Sequence, residues 1–504
     1  MSIDENNLQI LHNGSEQEAC AFLQEFTTKH AQTFSFPELT EDIKQKVVDI
    51  LIGKLKIQNS TRCQILCLQM LRLFSREKDK LVNMITEDSL STIMKMAGLE
   101  HYVTDEGESM TIFDVMVEAL MCLCNLIFNS FPAQRVCSKN GCVEGIIQRL
   151  KTYKDPELKY EIKFYDMRLL FLLTALCADT RPKIRYELHG FTYLMEVVDL
   201  ILRDADSRTT DLTDQEVDLC CEILKILFNL TVSVNKNAMD EEEEGHFMRL
   251  VSVLRDLLMC RTVSKDKREE LLSHTVNLLT NIPRDCYEEL LIPMNEIDVV
   301  GIENKEVEYD GRNMEAILVL LDFLYSRLDR PTKSLKESLT PILHCMCETC
   351  RANRSIRKFT RVKVLPPLRD EVKRLPEEGE TLRNRLCKLL TSPVPEVKTL
   401  AAEFLFILCK ENVNRMVKYT GYGNCAGLLA AKGLLAMGDG GEPTDYSSDS
   451  EDSETEEYEK LRPNINPVTG RWEEAKSDPF AGMTEEQKEF EAMKLVGDID
   501  KLQR

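Results

Sequence analysis

The stretch TDQEVDLCCEILKILFNLTVS, residues 213–233, shows most clearly how this chain folds. Thr213 and Glu216 stand at the spacing of a capping box, in which each side chain binds the other residue's backbone N–H at the start of a helix. Apolar residues then recur at intervals of three and four, the spacing of one helical face. They are Val217, Cys220, Cys221, Leu224, Leu227 and Phe228. The stretch therefore predicts an amphipathic helix with one buried face.

Similar helices fill the chain from about residue 16 to about residue 435, and several end in a related phrase. The phrases are LCNLIFNS, KILFNLTVS and TVNLLTNIP, while LLFLLTALC and LFILCKEN resemble them without the asparagines. Asn229 lies 100 residues after Asn129 and 52 residues before Asn281. A unit near 50 residues is slightly longer than an armadillo or HEAT repeat of ~40–47 residues. The pattern predicts an all-α, armadillo/HEAT-like, right-handed superhelical solenoid with a long concave surface.

The composition limits the class of protein. The chain has 504 residues, is 43% hydrophobic and 30% charged, and carries a formal charge of −21, which argues against a nucleic-acid binder. The N-terminus has no signal-peptide pattern, and the longest apolar run noted, from Leu169, has nine residues. Most of the 18 cysteines fall in apolar helical patterns, as reduced thiols do in the cytoplasm. We expect a cytoplasmic monomer.

The composition changes after Leu435. From Glu442 to Glu459 there are nine carboxylates, serines and no Lys or Arg, and such a segment cannot bury enough apolar surface to fold alone. Thr484 and Gln487 then form another capping-box pattern before an apolar stripe. These features predict three parts: a solenoid over 1–435, a disordered, phosphorylatable acidic linker over 436–482, and an amphipathic C-terminal helix over 483–504.

Pairs of polar residues four apart lie on one helical face and are the first candidate binding residues. The pairs are Arg72 with Arg76, Asn125 with Asn129, and Asn277 with Asn281. Asparagines along the inner helices of a solenoid can bind an extended peptide or a helix end. The alternative is that each asparagine caps its own helix or satisfies a neighbouring turn.

A second candidate is RANRSIRKFTRVK, residues 351–363, with six basic residues and no acid. It is either a solvated helix face or a docking site for an anion, for which the acidic tract is the obvious partner. The basic residues chosen as phosphate-docking candidates are Arg354, Arg357, Lys358 and Arg361.

Patterns for metal or nucleotide chemistry are weak. HCMCETC, from His344 to Cys350, falls in one helical segment, whereas structural zinc sites draw ligands from separated elements. GYGNCAG, from Gly421, follows a helix instead of a strand and has one residue too many for the dinucleotide motif. We therefore predict no metal, cofactor, bound nucleotide or enzymatic bond chemistry.

Several stretches, in order from about residue 60 to the end, resemble the synembryns, the family named for resistance to inhibitors of cholinesterase, and most closely its A-type paralogue. They are CLCNLIFNS, YDMRLLFLLTAL, VLPPLRD, AAEFLFILCKE, KYTGYGNCAGLLAAKGLL and INPVTGRWEEAKSDPFAGMTEEQKEFEAMKLV. The chain departs from the family pattern around 236–245 and 290–312. The resemblance implies an armadillo/HEAT solenoid that acts as a receptor-independent guanine-nucleotide exchange factor and folding chaperone for Gα subunits.

The resemblance also implies site residues. The Gα C-terminal helix is expected in the concave groove, and the helix after GMTEEQKE is expected on the Gα nucleotide-binding domain. The resemblance implies that Arg72, Arg76 and Asn125 line the groove, and the further residues expected to bind Gα are Asn129, Arg168, Asn229, Asn277, Phe490 and Met493. A casein-kinase-2-type kinase is expected to phosphorylate Ser448 and Ser453, and Gα is expected to recruit the chain to the plasma-membrane cortex. The rival function is an armadillo-type peptide-binding adaptor or scaffold without exchange activity.

Overall fold

The computed structural model describes residues 3–57, 60–77, 85–100, 110–236, 239–294, 307–329, 334–434 and 454–474, with positions 484, 487, 489 and 493. The chain divides into two compact units, Met1–Leu320 and Leu321–Arg504. Helices dominate both units, which confirms the all-α prediction.

Unit 1 is a series of helices over its described residues. Its helices are α1 (Glu5–Asn13), α2 (Glu16–Lys29), α3 (Glu41–Lys56), α4 (Thr61–Phe74), α5 (Glu87–Met96), α6 (Met110–Asn129), α7 (Phe131–Cys137), α8 (Cys142–Leu150), α9 (Tyr160–Leu176), α10 (Thr180–Pro182) with the π-helical turn Lys183–Glu187, α11 (Gly190–Arg208), α12 (Asp214–Thr231), α13 (Glu241–Met259), α14 (Lys265–Leu279) and the 3-10 helix Arg284–Leu290. Helix α15 (Glu315–Leu328) spans the boundary between the units.

The helices of unit 1 form two layers. Helices α4, α6, α9, α12 and α14 pack side by side in that order, and we call them the helix row. A second set covers one side of this row, with α3 on α4, α5 on α6, α8 on α9, α11 on α12 and α13 on α14. Each pair thus buries its apolar faces against the next pair, as the repeat pattern predicted.

Helix α12 shows why the sequence folds in this way. The predicted capping box is present, because Thr213 Oγ1 accepts from Glu216 N while Thr213 N donates to Glu216 Oε2 at 2.8 Å. Five of the six predicted core residues are buried, and Phe228 is half-buried. The cap fixes where α12 begins, and the apolar stripe fixes which side meets α9, α11 and α14.

Helix α6 contains an apolar stretch longer than the nine-residue run from Leu169. The window Ile112–Asn129 is long and apolar enough to cross a membrane by length and composition alone. Its acids interrupt the run and pair with neighbouring elements, Asp114 with Lys159 at 2.7 Å and Glu118 with Arg72 at 3.1 Å. These contacts, and packing against α4, α5 and α9, are those of a core helix.

The insertion around 290–312 carries a small sheet among its described residues. Strands β1 (Ile292–Pro293), β2 (Glu308–Tyr309) and β3 (Arg312–Asn313) pair antiparallel in the order β1-β3-β2. Asp310 and Gly311 both have positive φ and make the tight turn between β2 and β3.

Unit 2 contains a further set of packed helices. They are α16 (Leu335–Ala352), α17 (Arg354–Val364), a 3-10 turn Asp370–Lys373, α18 (Leu382–Leu389), α19 (Pro395–Leu408), α20 (Val413–Thr420), α21 (Tyr422–Ala431) and α22 (Glu456–Leu461), followed by the 3-10 turn Arg462–Asn464 and by strands β4 (Ile465–Asn466) and β5 (Arg471–Trp472). Helix α16 packs along α19, and α17 packs on both. The cysteines of HCMCETC are buried in α16 as core residues.

The predicted disordered linker 436–482 contains a folded part, residues 454–474. Thr455 caps α22 and donates its hydroxyl to Leu368 O at 2.5 Å, and Tyr458 is only 6% exposed. Strands β4 and β5 then form an antiparallel hairpin. The linker was predicted from its overall composition, which did not reveal the capping role of Thr455 or the burial of Tyr458.

The motifs GYGNCAG and INPVTGR contact each other in unit 2. Tyr422 N donates to Pro467 O and Gly423 N to Val468 O, both at 2.8 Å. A Cβ at Gly421, whose φ is +74°, would lie 2.8 Å from the Thr469 carbonyl carbon. The glycines once compared with a nucleotide motif therefore let the hairpin turn approach α21.

The predicted C-terminal helix is described at only four positions. Thr484 N donates to Gln487 Oε1 at 3.1 Å, and Gln487 N donates to Thr484 Oγ1 at 3.4 Å, so the two bonds of the predicted cap are present. Met493 is helical and 74% exposed. Phe490 lies outside the described residues, as do Ser448 and Ser453.

Candidate partner-binding face

The helix row of unit 1 presents one stripe of incompletely buried side chains from each of its helices. We call this surface the row face. It comprises Gln69, Arg72 and Arg76 from α4; Glu118, Asn125 and Phe128 from α6; Tyr165, Arg168 and Phe171 from α9; Asp218, Lys225 and Phe228 from α12; and Lys267, Glu270, His274 and Asn277 from α14. Within each helix these residues recur at intervals of three, four or seven, the periodicity of a single helical side.

Arg72 is tied to the next helix of the row. Its Nε lies 3.1 Å from Glu118 Oε2, and Gln69 Nε2 donates to Glu118 Oε1 at 3.2 Å. The side chains of Arg72 and Glu118 are 23% and 16% exposed, so solvent reaches the pair only in part. Arg72 thus presents a guanidinium on this face that already has one carboxylate partner.

Arg76 binds backbone within its own part of the fold. Its Nη1 donates to Ala31 O at 2.8 Å and to Thr33 O at 3.0 Å, and its guanidinium lies 5.3 Å from the centre of the Phe34 ring. Burial, and then the neighbouring charge of Arg72, lower the pKa of Arg76. Arg76 therefore fixes the loop after α2, in addition to any contact with a partner.

A second ionic group joins α9 to α12. Arg168 Nη1 lies 3.1 Å and Lys225 Nζ 2.6 Å from the same Glu222 oxygen, Oε1. Both cations also lie over the Phe171 ring, at 5.6 Å and 5.0 Å from its centre. Two cations share one carboxylate oxygen here, so the group presents a net positive charge beside an aromatic ring.

Three asparagines occupy equivalent places at the ends of row helices. Asn129 Nδ2 donates to Ser75 O at 2.8 Å, and Asn229 Nδ2 donates to Thr174 Oγ1 at 3.1 Å. Asn281 Nδ2 donates to Thr231 Oγ1 at 3.1 Å and to Phe228 O at 3.2 Å. In each case the amide reaches the C-terminal end of the preceding row helix. These three asparagines therefore satisfy neighbouring turns, which is the alternative to ligand binding given above.

Asn125 and Asn277, each one turn earlier, behave differently. Both are half-buried on the row face. Within the part of the chain that the structure describes, neither side chain has a hydrogen-bond partner. The recurring phrase thus separates into a position that links two helices and a position whose amide is available to a ligand.

The row face combines cations, amides and aromatic rings. Glu118, Lys225 and Phe171 belong to it, and Glu222 lies buried beneath it; none of the four was singled out from the sequence. Lys225 lies four residues before Asn229, and Phe171 lies three residues after Arg168. This helical spacing could have identified both as residues of the same face. The two glutamates could not have been found, because each meets a partner that lies 46 or 54 residues away in sequence.

The basic residues of α17 in unit 2 sit around the ends of α16 and α20. Arg357 Nη1 donates to Cys350 O at 2.9 Å, which ties α17 to the end of α16. Arg361 is close enough to Arg415 that, after burial, it is the second cause lowering the pKa of Arg415. Arg354 is exposed, and Lys358 is half-buried. Like charges held together in this way favour an anion nearby.

Comparisons with known proteins give a consistent result. Residues 67–504 match the family model Ric8, described as guanine nucleotide exchange factor synembryn. The chain is 44% identical over 504 residues to a protein named Chaperone Ric-8A from Gallus gallus, covering 98% of this chain and 91% of that protein. It is 42% identical over 515 residues to Chaperone Ric-8A of Danio rerio, with 99% and 91% covered. The corresponding protein of Mus musculus is 40% identical over 497 residues, with 98% and 91% covered.

Among solved structures, the SYS-1/POP-1 complex contains a chain that superposes with a TM-score of 0.51, covering 80% of this chain and 72% of that one. The identity is 10%, so the likeness concerns the fold alone. SYS-1 is an armadillo/HEAT-type solenoid, and the predicted fold class is confirmed.

Proposed function

The chain belongs to the Ric8, or synembryn, family of guanine nucleotide exchange factors, and from that membership we propose that it is an exchange factor and folding chaperone for Gα subunits. It would bind GDP-bound or nascent Gα and stabilise the nucleotide-free state. The row face would receive the C-terminal helix of Gα, and its cations and amide donors are the structural observation that supports the proposal.

The chemistry of the row face suits the end of a helix. A helix C-terminus has unsatisfied carbonyl groups and a partial negative charge, to which the chain terminus adds a carboxylate. Arg72, Arg168 and Lys225 supply cations, and Asn125 and Asn277 supply amide donors. Five row helices at about 8–10 Å between axes span roughly 32–40 Å, enough for a helix of about 20 residues at 1.5 Å per residue. Phe128 and Phe171 would pack against its apolar side.

Exchange requires only a difference in affinity between two states of the partner. A protein that binds nucleotide-free Gα more tightly than GDP-bound Gα shifts the population toward the free form and so releases GDP. Holding the C-terminal helix away from the Gα sheet would loosen the nucleotide site. GTP would then restore the Gα fold and displace the exchanger, with no bond made or broken by this chain.

The C-terminal helix would make a second contact, on the nucleotide-binding domain of Gα. Met493 is exposed in this helix, and a single amphipathic helix gains most of its stability by packing on another surface. We place Phe490 and Met493 in that contact. Deleting residues 483–504 should weaken exchange more than it weakens binding of an isolated Gα C-terminal peptide.

Phosphorylation would regulate this arrangement. A casein-kinase-2-type kinase would modify Ser448 and Ser453, and the phosphates would bind the α17 cations. Because residues 454–474 are packed on unit 2, the tract reaches its docking site from an anchored end. The protein would act as a cytoplasmic monomer that Gα recruits to the plasma-membrane cortex.

An armadillo-type adaptor could use the same face for an extended peptide without promoting exchange. Complex formation with purified Gα separates the two functions. An exchange factor should co-elute with Gα from which nucleotide has been removed, and an excess of GTP should dissolve the complex. An adaptor should bind equally well whichever nucleotide Gα carries.

A further inference from the structure

The packing of α12 against α14 brings three metal-binding side chains together at the row face. The thiol of Cys221, a carboxylate oxygen of Glu270 and a ring nitrogen of His274 all lie within 4.8 Å of one another. In the described part of the chain, this is the grouping of such residues that is compact enough to hold one ion. We propose that Cys221, Glu270 and His274 bind a zinc ion.

The backbone arrangement suits a metal site. Glu270 and His274 are four residues apart on α14, so their side chains project from one side of that helix. Cys221 is contributed by the neighbouring α12 and is 2% exposed, while His274 is half-buried and Glu270 is exposed. The site thus has a buried floor and an open mouth, with ligands from two separated elements as zinc sites usually have.

The donor set selects the metal. Magnesium and calcium prefer ligands that are all oxygen, whereas thiolate and imidazole favour zinc among the abundant divalent ions. Zinc is usually four-coordinate and tetrahedral. Three protein ligands therefore leave one position for water or for a side chain supplied by a binding partner on the row face.

The charges around the site include both signs. Lys267 Nζ lies 2.9 Å from Glu270 Oε2 and also pairs with Asp218, while Lys225 pairs with Glu222. The lysines oppose a cation, but a carboxylate has two oxygens and can serve a lysine and a metal together. Glu222 adds no free negative charge to the site, because Arg168 and Lys225 both bind its Oε1, although its Oε2 is buried without a hydrogen-bond partner in the described structure.

No metal site was predicted from the sequence, in which the cluster of potential ligands HCMCETC falls in one helical segment. Its cysteines are core residues of that helix. Cys221 lies 49 residues before Glu270, and only the register between α12 and α14 joins them. This inference concerns the chain alone and does not depend on the proposed action on Gα.

Titration of the full chain with Co²⁺ after treatment with a chelator tests the site. A thiolate–cobalt charge-transfer band should appear and saturate at one equivalent, and Zn²⁺ should abolish it by displacement. Cys221→Ser should remove the band, and His274→Ala should weaken affinity more than ~100-fold, because loss of a partner outside the ligand shell alone costs 10–100-fold. Circular dichroism of each metal-free variant shows whether it is folded.

Cys260→Ser is the matched control, since Cys260 is the least buried of the 18 cysteines and is therefore the most accessible to adventitious metal. This variant should keep the band and the stoichiometry. The proposal is overturned if the folded wild-type chain gives no saturable band. It is equally overturned if folded His274→Ala binds Co²⁺ as tightly as wild type, or if Cys260→Ser, and not Cys221→Ser, loses the band.

Discussion

Arg72 Nε lies 3.1 Å from Glu118 Oε2, so the arginine expected to meet a partner's carboxylate already has one within its own fold. An incoming helix end must therefore share Arg72 with Glu118 or displace Glu118 from it. A partly exposed ion pair of this kind contributes only about 0–1 kcal/mol to stability. A partner carboxylate with better geometry can therefore replace Glu118 as the ligand of Arg72.

The first prediction follows from this pair. Arg72→Glu should weaken binding of a Gα C-terminal peptide by about 2–5 kcal/mol, because it removes a charge-assisted bond and adds repulsion. Glu118→Gln should hold or improve affinity, because it removes the competing charge. Fluorescence anisotropy with a labelled peptide measures both. A loss in Glu118→Gln equal to that in Arg72→Glu would mean that the pair matters for the fold alone.

The second prediction separates the two kinds of asparagine. Asn129→Ala, Asn229→Ala and Asn281→Ala should each lower the free energy of unfolding by about 1–3 kcal/mol, because each leaves a partly buried acceptor at the end of a helix. Asn125→Ala and Asn277→Ala should leave it within about 0.5 kcal/mol of wild type but reduce peptide affinity. Urea unfolding and the peptide assay together provide the test. If all five variants behave alike in both assays, the distinction fails.

The third prediction concerns the docked hairpin of unit 2. Gly421→Ala should dislodge residues 454–474, because the new Cβ would meet the backbone of Thr469 at 2.8 Å and a positive φ disfavours alanine. Faster hydrogen exchange over 456–472 should report this change. Gly427→Ala is the control, since nothing lies within 4 Å of a Cβ there. Unchanged exchange in Gly421→Ala would show that the turn can move aside.

The fourth prediction concerns phosphorylation. Each phosphate on Ser448 or Ser453 adds about −1.5 to −2 charge, and its oxygens can form charge-assisted bonds with α17. Hydrogen exchange should slow in both 440–453 and 351–363 on modification. Arg354→Glu/Lys358→Glu should remove this protection. Arg357 is left unchanged because it holds the end of α16 through Cys350 O. Protection of neither segment would point to a docking motif for another protein instead.

Local features of this chain were predictable from its sequence, whereas contacts between distant segments were not. The capping boxes at Thr213 and Thr484 and the apolar stripe of α12 were predicted and are present, because they depend on spacings of three and four within one helix. The asparagines were correctly placed at equivalent helix ends. Whether each amide faces a ligand or a neighbouring helix depends on the packing register, which a single sequence does not reveal.

The contacts that could not be predicted join residues that are far apart in the sequence. Glu118 meets Arg72 across 46 residues, and Thr455 meets Leu368 across 87. The linker 436–482 was predicted to be disordered from its composition. Composition does not reveal that Tyr458 is buried against the rest of the fold. A side chain at position 421 is excluded by the hairpin turn that lies against Gly421, and that turn begins more than 40 residues later in the chain.

The release of GDP from purified Gα tests the central claim most directly. With labelled GDP bound to Gα and excess unlabelled GTP present, the wild-type chain should accelerate release in proportion to its concentration until it saturates. Arg72→Glu should lose most of this acceleration while its circular dichroism spectrum stays helical. A release rate that the folded wild-type chain leaves unchanged, across a panel of Gα subunits that it binds, would contradict the account and favour the adaptor.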